Sequence, residues 1–231
     1  MQGKLKIQLF KEKILEEFKD NIACILLTGS YAREEATQKS DIDIWLFFHA
    51  LHFENLKTVG NIVKSLPKTP KLNAQCTTFL EAKSKYFIRE YSPIQYNTDG
   101  IVLYGNLYMD YPKKEEFERQ SKKLSVYVIM GIRHFIVTCE EDDVLIKKKI
   151  RKRILKPLMW AIRYKYAVIL DKYIKNLDEL YNVCNSKERE AICIYKVMLN
   201  GKEEQFKGNS MEILKLCNDI CYDLMEEKFN F

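Results

Sequence analysis

Apolar residues Leu5, Leu9, Ile14, Leu15 and Phe18 recur through positions 5–18 with charges between them, a spacing that predicts an amphipathic helix. The run from Asn21 to Thr28 is short and almost uninterrupted in its apolar character, and it reads as a buried strand ending in Gly29-Ser30. Positions 31–36 leave room for about one helical turn. Ser40 then precedes Asp41-Ile42-Asp43-Ile44-Trp45-Leu46-Phe47-Phe48, a second strand rich in β-formers. A helix is predicted over 52–65, stopped by Pro67 and Pro70. Leu72 to Phe79 reads as a third strand and 80–90 as a further helix. Asp99-Gly100 marks a turn, and Ile101 to Tyr104 forms a last short strand closed by Gly105.

From Pro112 onward the texture changes. Strand signals cease, glycine becomes scarce, and helical periodicity predicts helices over 113–138, 142–174, 177–184, 187–200 and 209–228. Pro157 is expected to kink or split the second of these, because it lacks the N–H and its ring collides with the preceding turn. Breaks are expected at 140–143, at Asn185-Ser186 and at Gly208-Asn209-Ser210. The pattern predicts an α+β chain: a mixed β-sheet domain over 1–110 followed by an all-α helical bundle domain over 111–231. No internal repeat or low-complexity tract is evident.

Composition narrows the functional classes. A chain of 231 residues, 47% hydrophobic and 30% charged, can bury a sizeable core and is not a disordered one. Its net charge of +6 is mild, since 32 acidic residues offset 38 basic ones, and suits phosphate-bearing ligands without establishing nucleic-acid binding. The seven cysteines are odd in number and include no CxxC pair, as expected of free thiols in a reducing cytoplasm. The N-terminus lacks the continuous apolar core of a signal peptide. No apolar run approaches the roughly 20 residues needed to span a bilayer. A cytoplasmic protein with no membrane association is the expectation, and homodimer formation is compatible with it.

The segment with chemical content runs from Thr28 to Ile44. Asp41 and Asp43 are two apart on a predicted strand, so both carboxylates point to one face. Two carboxylates on one face repel unless a cation lies between them. Hard oxygen donors of this kind suit Mg²⁺, which takes one or two carboxylates and completes its shell with phosphate oxygens and water. Gly29 ends a strand where backbone can approach a ligand closely. The N–H groups of the following turn and the Ser30 hydroxyl are donors for phosphate oxygens. Neighbouring strands so equipped can hold a metal–triphosphate complex between them.

These residues resemble the nucleotidyltransferases of the DNA polymerase β superfamily, in particular the minimal and aminoglycoside nucleotidyltransferases. Their signature is Gly-Ser, about ten residues, then Asp-x-Asp; Gly29-Ser30 and Asp41-Ile42-Asp43 match it, as do Tyr31-Ala32-Arg33 and Ala36. The resemblance implies a nucleotidyltransferase fold to about Gly105 with an appended helical bundle. It implies two Mg²⁺ ions bridged by Asp41 and Asp43 as catalytic metal ligands, and nucleotide binding by Gly29, Ser30, Arg33 and Ser40. It also implies transfer of a nucleoside monophosphate, AMP from ATP by default, to a hydroxyl acceptor with release of pyrophosphate. The acceptor class stays open: small molecule, protein or RNA.

Two positions depart from the family pattern. Glu34 stands where the family commonly has glycine. On the third strand, where many members carry another carboxylate, this chain has the amides Asn73 and Gln75, which cannot act as a general base. Glu81 and Asp99 are the candidates for that role within the first domain. These departures keep two alternatives in view: a catalytically weakened nucleotide- or partner-binding, antitoxin-like protein, and an RNA-binding protein. The second would use the basic stretch Lys147 to Lys156, whose Ile146, Ile150, Ile154 and Leu158 mark a core-facing side. His134 has no arginine four to six residues before it, so the helical half carries no toxin-type ribonuclease signature. His49 and His52 either border the site or belong to a loop. There is no Walker A or Rossmann glycine pattern.

Overall fold

The computed structural model describes residues 2–38, 40–84, 94–138, 143–200 and 209–227. Positions 85–90 of the helix expected over 80–90 lie outside the described residues, as do Cys139, most of the break at 140–143, Gly208 and position 228. The chain divides into two units, Met1–Pro112 and Lys113–Phe231.

In the first unit, α1 (Gln2–Phe18) leads into β1 (Ile22–Thr28), the four-residue turn of helix α2 (Gly29–Ala32), β2 (Ile42–Phe48), α3 (Phe53–Ser65), β3 (Leu72–Thr78), α4 (Phe79–Ala82), α5 (Ile94–Thr98) and β4 (Ile101–Gly105). The strands form one mixed sheet in the order β3-β2-β1-β4. β1 runs antiparallel to β2 and β4, and β2 runs parallel to β3. Alternation along β2 separates two layers. Ile42, Ile44, Leu46 and Phe48 face a core completed by Ile7, Phe10, Ile14 and Phe18 of α1 and by Val59 and Leu66. Asp43, Trp45 and Phe47 face the other way. There Phe47 stacks on Phe79 at 4.8 Å between centroids and meets Tyr96 edge-on at 5.8 Å, while Trp45 meets Tyr96 at 5.1 Å. The same strand therefore anchors the sheet through one face and presents its carboxylate on the other.

The Lys6 ammonium is buried and donates to the carbonyls of Pro67 and Pro70, tying α1 to the loop that delivers β3. Burial lowers its pKa.

The second unit is helical: α6 (Lys114–Thr138), α7 (Asp143–Ile150), a π-helical turn at Arg151–Leu155, α8 (Lys156–Ile169), α9 (Leu177–Val183), α10 (Ser186–Leu199) and α11 (Ser210–Glu226). Pro157 sits at the start of α8, directly after the wide turn, so the predicted long helix is split as its missing N–H requires. The longest helix, α6, packs along α8 and α11. Ser121 and Ser125 are fully buried on α6, and the Ser121 hydroxyl donates to the Ala161 carbonyl at 2.8 Å across to α8. Asn176, Asn185 and Asn209 cap the N-termini of α9, α10 and α11 with their side-chain oxygens, which is why each helix starts where it does. Among the described residues, no helix is long and apolar enough to cross a membrane.

Candidate functional site

Strand register brings the chemistry together. Asp43 lies opposite Thr28, the last residue of β1, on one side and opposite Asn73 of β3 on the other. Asp41 immediately precedes β2 and is exposed, whereas Asp43 is half-buried. Gly29 follows Thr28 with φ +71°, a left-handed conformation that a side chain disfavours. A Cβ built on Gly29 would stand 2.4 Å from Asp43 Oδ2. The glycine thus admits a carboxylate against the backbone of the Gly-Ser turn, and that close approach is a cradle only glycine leaves open.

The turn itself is self-contained. Arg33 N–H donates to Gly29 O at 3.2 Å and Glu35 N–H to Ser30 O at 2.9 Å, and Ser30 itself is half-exposed. Glu34 adopts φ +61° and is exposed. This explains in backbone terms why glycine is at home there: the position needs a left-handed residue, and glutamate tolerates it at a cost of about 1–2 kcal/mol. Ser40 closes the next turn, accepting from Thr37 N–H at 2.9 Å through its hydroxyl.

Arg33 is used otherwise than as a surface cation. Its guanidinium is buried, with Nε 2.8 Å from Glu35 and Nη1 3.2 Å from Asp99. These bonds brace the loop after α2 against the segment before β4. Asp99 is fully buried in that pair, so it is not placed as a base for an exposed acceptor. Glu81 is equally engaged, since its Oε2 accepts from Thr78 N–H at 2.8 Å and from the hydroxyls of Thr77 and Thr78 as a capping box of α4. His49 and His52 follow the far end of β2, roughly 20 Å from Asp43 at strand rise, and they do not border the carboxylates.

Asn73 completes the cluster. Its Nδ2 donates to Asp43 Oδ1 at 3.1 Å and lies 3.5 Å from Asp41 Oδ2. The next pair along the strands is Trp45 with an exposed Gln75 on the same face. The Asn73 amide was legible as a missing carboxylate; its bond to the aspartates required the parallel register of β2 and β3.

Residues 12–106 match the family model described as polymerase beta, nucleotidyltransferase. The first unit therefore carries a nucleotidyltransferase domain of the polymerase β type. Among solved structures, the fold is similar to that of spectinomycin adenyltransferase AAD(9) from Enterococcus faecialis, determined with ATP and spectinomycin. That likeness has a TM-score of 0.51 at 13% identity and covers 94% of this chain and 98% of the other. A search of curated proteins finds no significant match. The α+β architecture expected from sequence, a nucleotidyltransferase-type mixed sheet followed by a helical part, is the one found.

The donor set fits a nucleotide-borne Mg²⁺. Two carboxylate groups share one face beside a turn whose glycine leaves room for them, and hard oxygen donors are what this cation selects.

Proposed function

We propose that this nucleotidyltransferase transfers AMP from ATP to a hydroxyl of a small-molecule acceptor, releasing pyrophosphate. The observation that carries the reading is the close seating of Asp43 against Gly29, with the Asp41 and Asp43 carboxylates both within reach of the Asn73 amide. Asp41 and Asp43 would hold Mg²⁺, and bound Mg²⁺ supplies charge neutralisation along the triphosphate. The N–H groups of the Gly29-Ser30 turn and the Ser30 hydroxyl orient the β- and γ-phosphates. The exposed position of Glu34 keeps its charge on the solvent side of that turn. The acceptor oxygen bonds to the α-phosphorus while the bond to pyrophosphate breaks, and the acceptor proton passes to solvent, because Glu81 and Asp99 are committed elsewhere. Rate acceleration therefore comes mainly from positioning and electrostatics. The fold shared with an enzyme determined with ATP and spectinomycin favours ATP as donor and a small molecule as acceptor.

A second reading, a nucleotide-binding protein with weakened catalysis, is favoured by Asn73 alone, which places a neutral amide beside the aspartates. Both readings predict Mg²⁺-dependent thermal stabilisation by ATP that is lost in D41N/D43N. Only the first predicts pyrophosphate release with an acceptor. No stabilisation of the folded wild type by any of the four NTPs would sink both.

A further inference from the structure

We propose that this site binds a single divalent cation, carried in with the triphosphate, in place of a pair. The proposal rests on the reading of Asp41 and Asp43 as the metal ligands, and it concerns what Asn73 does to them.

Charge comes first. Two divalent cations of a phosphoryl-transfer pair stand roughly 3.5–4 Å apart and repel each other, so the ligand shell must supply enough negative charge to offset the repulsion. Here the shell has two carboxylates. The third member of the cluster, directly across the parallel register from Asp43, is the neutral Asn73. Among the described residues, no group of three or more His, Cys, Asp or Glu side chains is placed to hold a metal ion. Of the nearby acids, Glu81 is committed to the cap of α4 and Asp99 and Glu35 to Arg33, while Glu34 is exposed on the solvent side of the turn.

Donor geometry points the same way. The Asn73 amide presents its NH₂ to the carboxylates, donating to Asp43 Oδ1 at 3.1 Å. An amide N–H cannot ligate a cation, and its hydrogen bond to Asp43 Oδ1 would compete with a second ion for that oxygen. Turning the amide over would offer one neutral oxygen, without the charge that a second ion demands. One Mg²⁺ needs no more than the two aspartates, with its remaining positions filled by phosphate oxygens and water. In that arrangement Asn73 is a positioning residue: it holds Asp43 in place by a hydrogen bond and leaves the triphosphate to bring the only cation.

The test counts ions. Full-length protein is equilibrated with Mn²⁺ and α,β-methylene-ATP, and bound metal and bound nucleotide are measured by dialysis, with electron paramagnetic resonance on the bound fraction. The wild type should hold one Mn²⁺ per nucleotide with no spin coupling. N73D should hold two with a coupled signal, and N73S should stay at one. Two coupled Mn²⁺ ions in the wild type would overturn the inference and leave the nucleotide site standing. A folded wild type that binds no nucleotide would overturn the site itself. Should N73D fail to fold, the wild-type count still decides; a folded N73D that stays at one ion shows that Asn73 is not what limits the site.

Discussion

Gly29→Ala tests the geometry of the site through its backbone. The position has φ +71°, where an L side chain costs about 1–2 kcal/mol. The new methyl would also stand 2.4 Å from Asp43 Oδ2, a separation that cannot persist. Driving the Asp43 side chain off its rotamer adds about 0.5–1.5 kcal/mol. The expected total is about 2–3 kcal/mol, which lowers the midpoint of the transition of a unit this size by roughly 10 °C. Thermal unfolding with and without Mg²⁺ and ATP reads both consequences. At about 100 times Kd the wild type should gain about 2.7 kcal/mol from the ligand, and the variant should gain almost none, because its carboxylate has been displaced. A cycle with Asp43→Ala separates the two costs. In that background Gly29→Ala should retain only the backbone part, since the clashing carboxylate is gone. A Gly29→Ala protein with an unchanged midpoint and an unchanged response to ATP would refute the seating of Asp43 against the turn.

Other expectations follow from the same packing. Glu34→Gly should raise stability by about 1 kcal/mol, because glycine removes the strain at φ +61°; a loss of stability by chemical denaturation would contradict that account. Asp99→Asn should cost about 3 kcal/mol, toward the low end for a broken buried pair because Glu35 continues to bind Arg33; calorimetry of the variant checks it. In the helical unit, buried Lys165 bonds Glu188 at 3.1 Å and Glu227 at 2.7 Å. Burial lowers its pKa, and the bonds to Glu227 and Glu188 together outweigh that effect and raise it above 10.5. Its contribution is therefore complete below pH 10.5 and lost as pH rises through the raised value, whereas Lys165→Met should lose it at neutral pH, by about 3–5 kcal/mol in denaturant melts. Burial pushes the Cys24 and Cys221 thiols up to about 12, so the native chain keeps protons that the unfolded chain releases near pH 9, and stability should fall between those values. At pH 8 a thiol reagent should label exposed Cys193 well before either of them, as mass spectrometry would show.

Much of this arrangement was legible in the amino-acid order because period and chemistry coincide along β2. Alternation there assigns Ile42, Ile44, Leu46 and Phe48 to the core, and it necessarily puts Asp43 on the opposite face. Breaks between helices were legible at Asn185 and Asn209, and in the structure each of these asparagines caps the helix that follows, with glutamate at its third position. Contacts distant in sequence were not. The Arg33–Asp99 pair joins residues 66 apart, and no local pattern separates a buried bridge from a surface one. Lys6 reads as one of several charges on an amphipathic helix, yet its ammonium is consumed by two proline carbonyls more than sixty positions away. The aromatic layer of Phe47, Phe79 and Tyr96 was hidden for the same reason, since each ring looks like an ordinary strand or helix residue until the sheet brings them together.

The loop between Gly29 and Asp41 shows why the short signature can stand on so divergent a chain. Its two ends are fixed by strand pairing, Thr28 with Asp43, and its middle by the buried Arg33 bonds to Glu35 and Asp99. Gly29 at one end cannot change without meeting Asp43 at the other. The residues between are held only where they serve the bracing, and exposed Glu34 shows how much freedom is left: it accepts an unfavourable backbone because no neighbour requires its side chain to be absent. By the same logic Asn73 is a permitted exchange in mechanical terms, since an amide fills a carboxylate's place in the strand and hydrogen-bonds Asp43. What it cannot reproduce is the charge, so under the proposed single-cation site the exchange bears on metal count while the strand pairing stays intact.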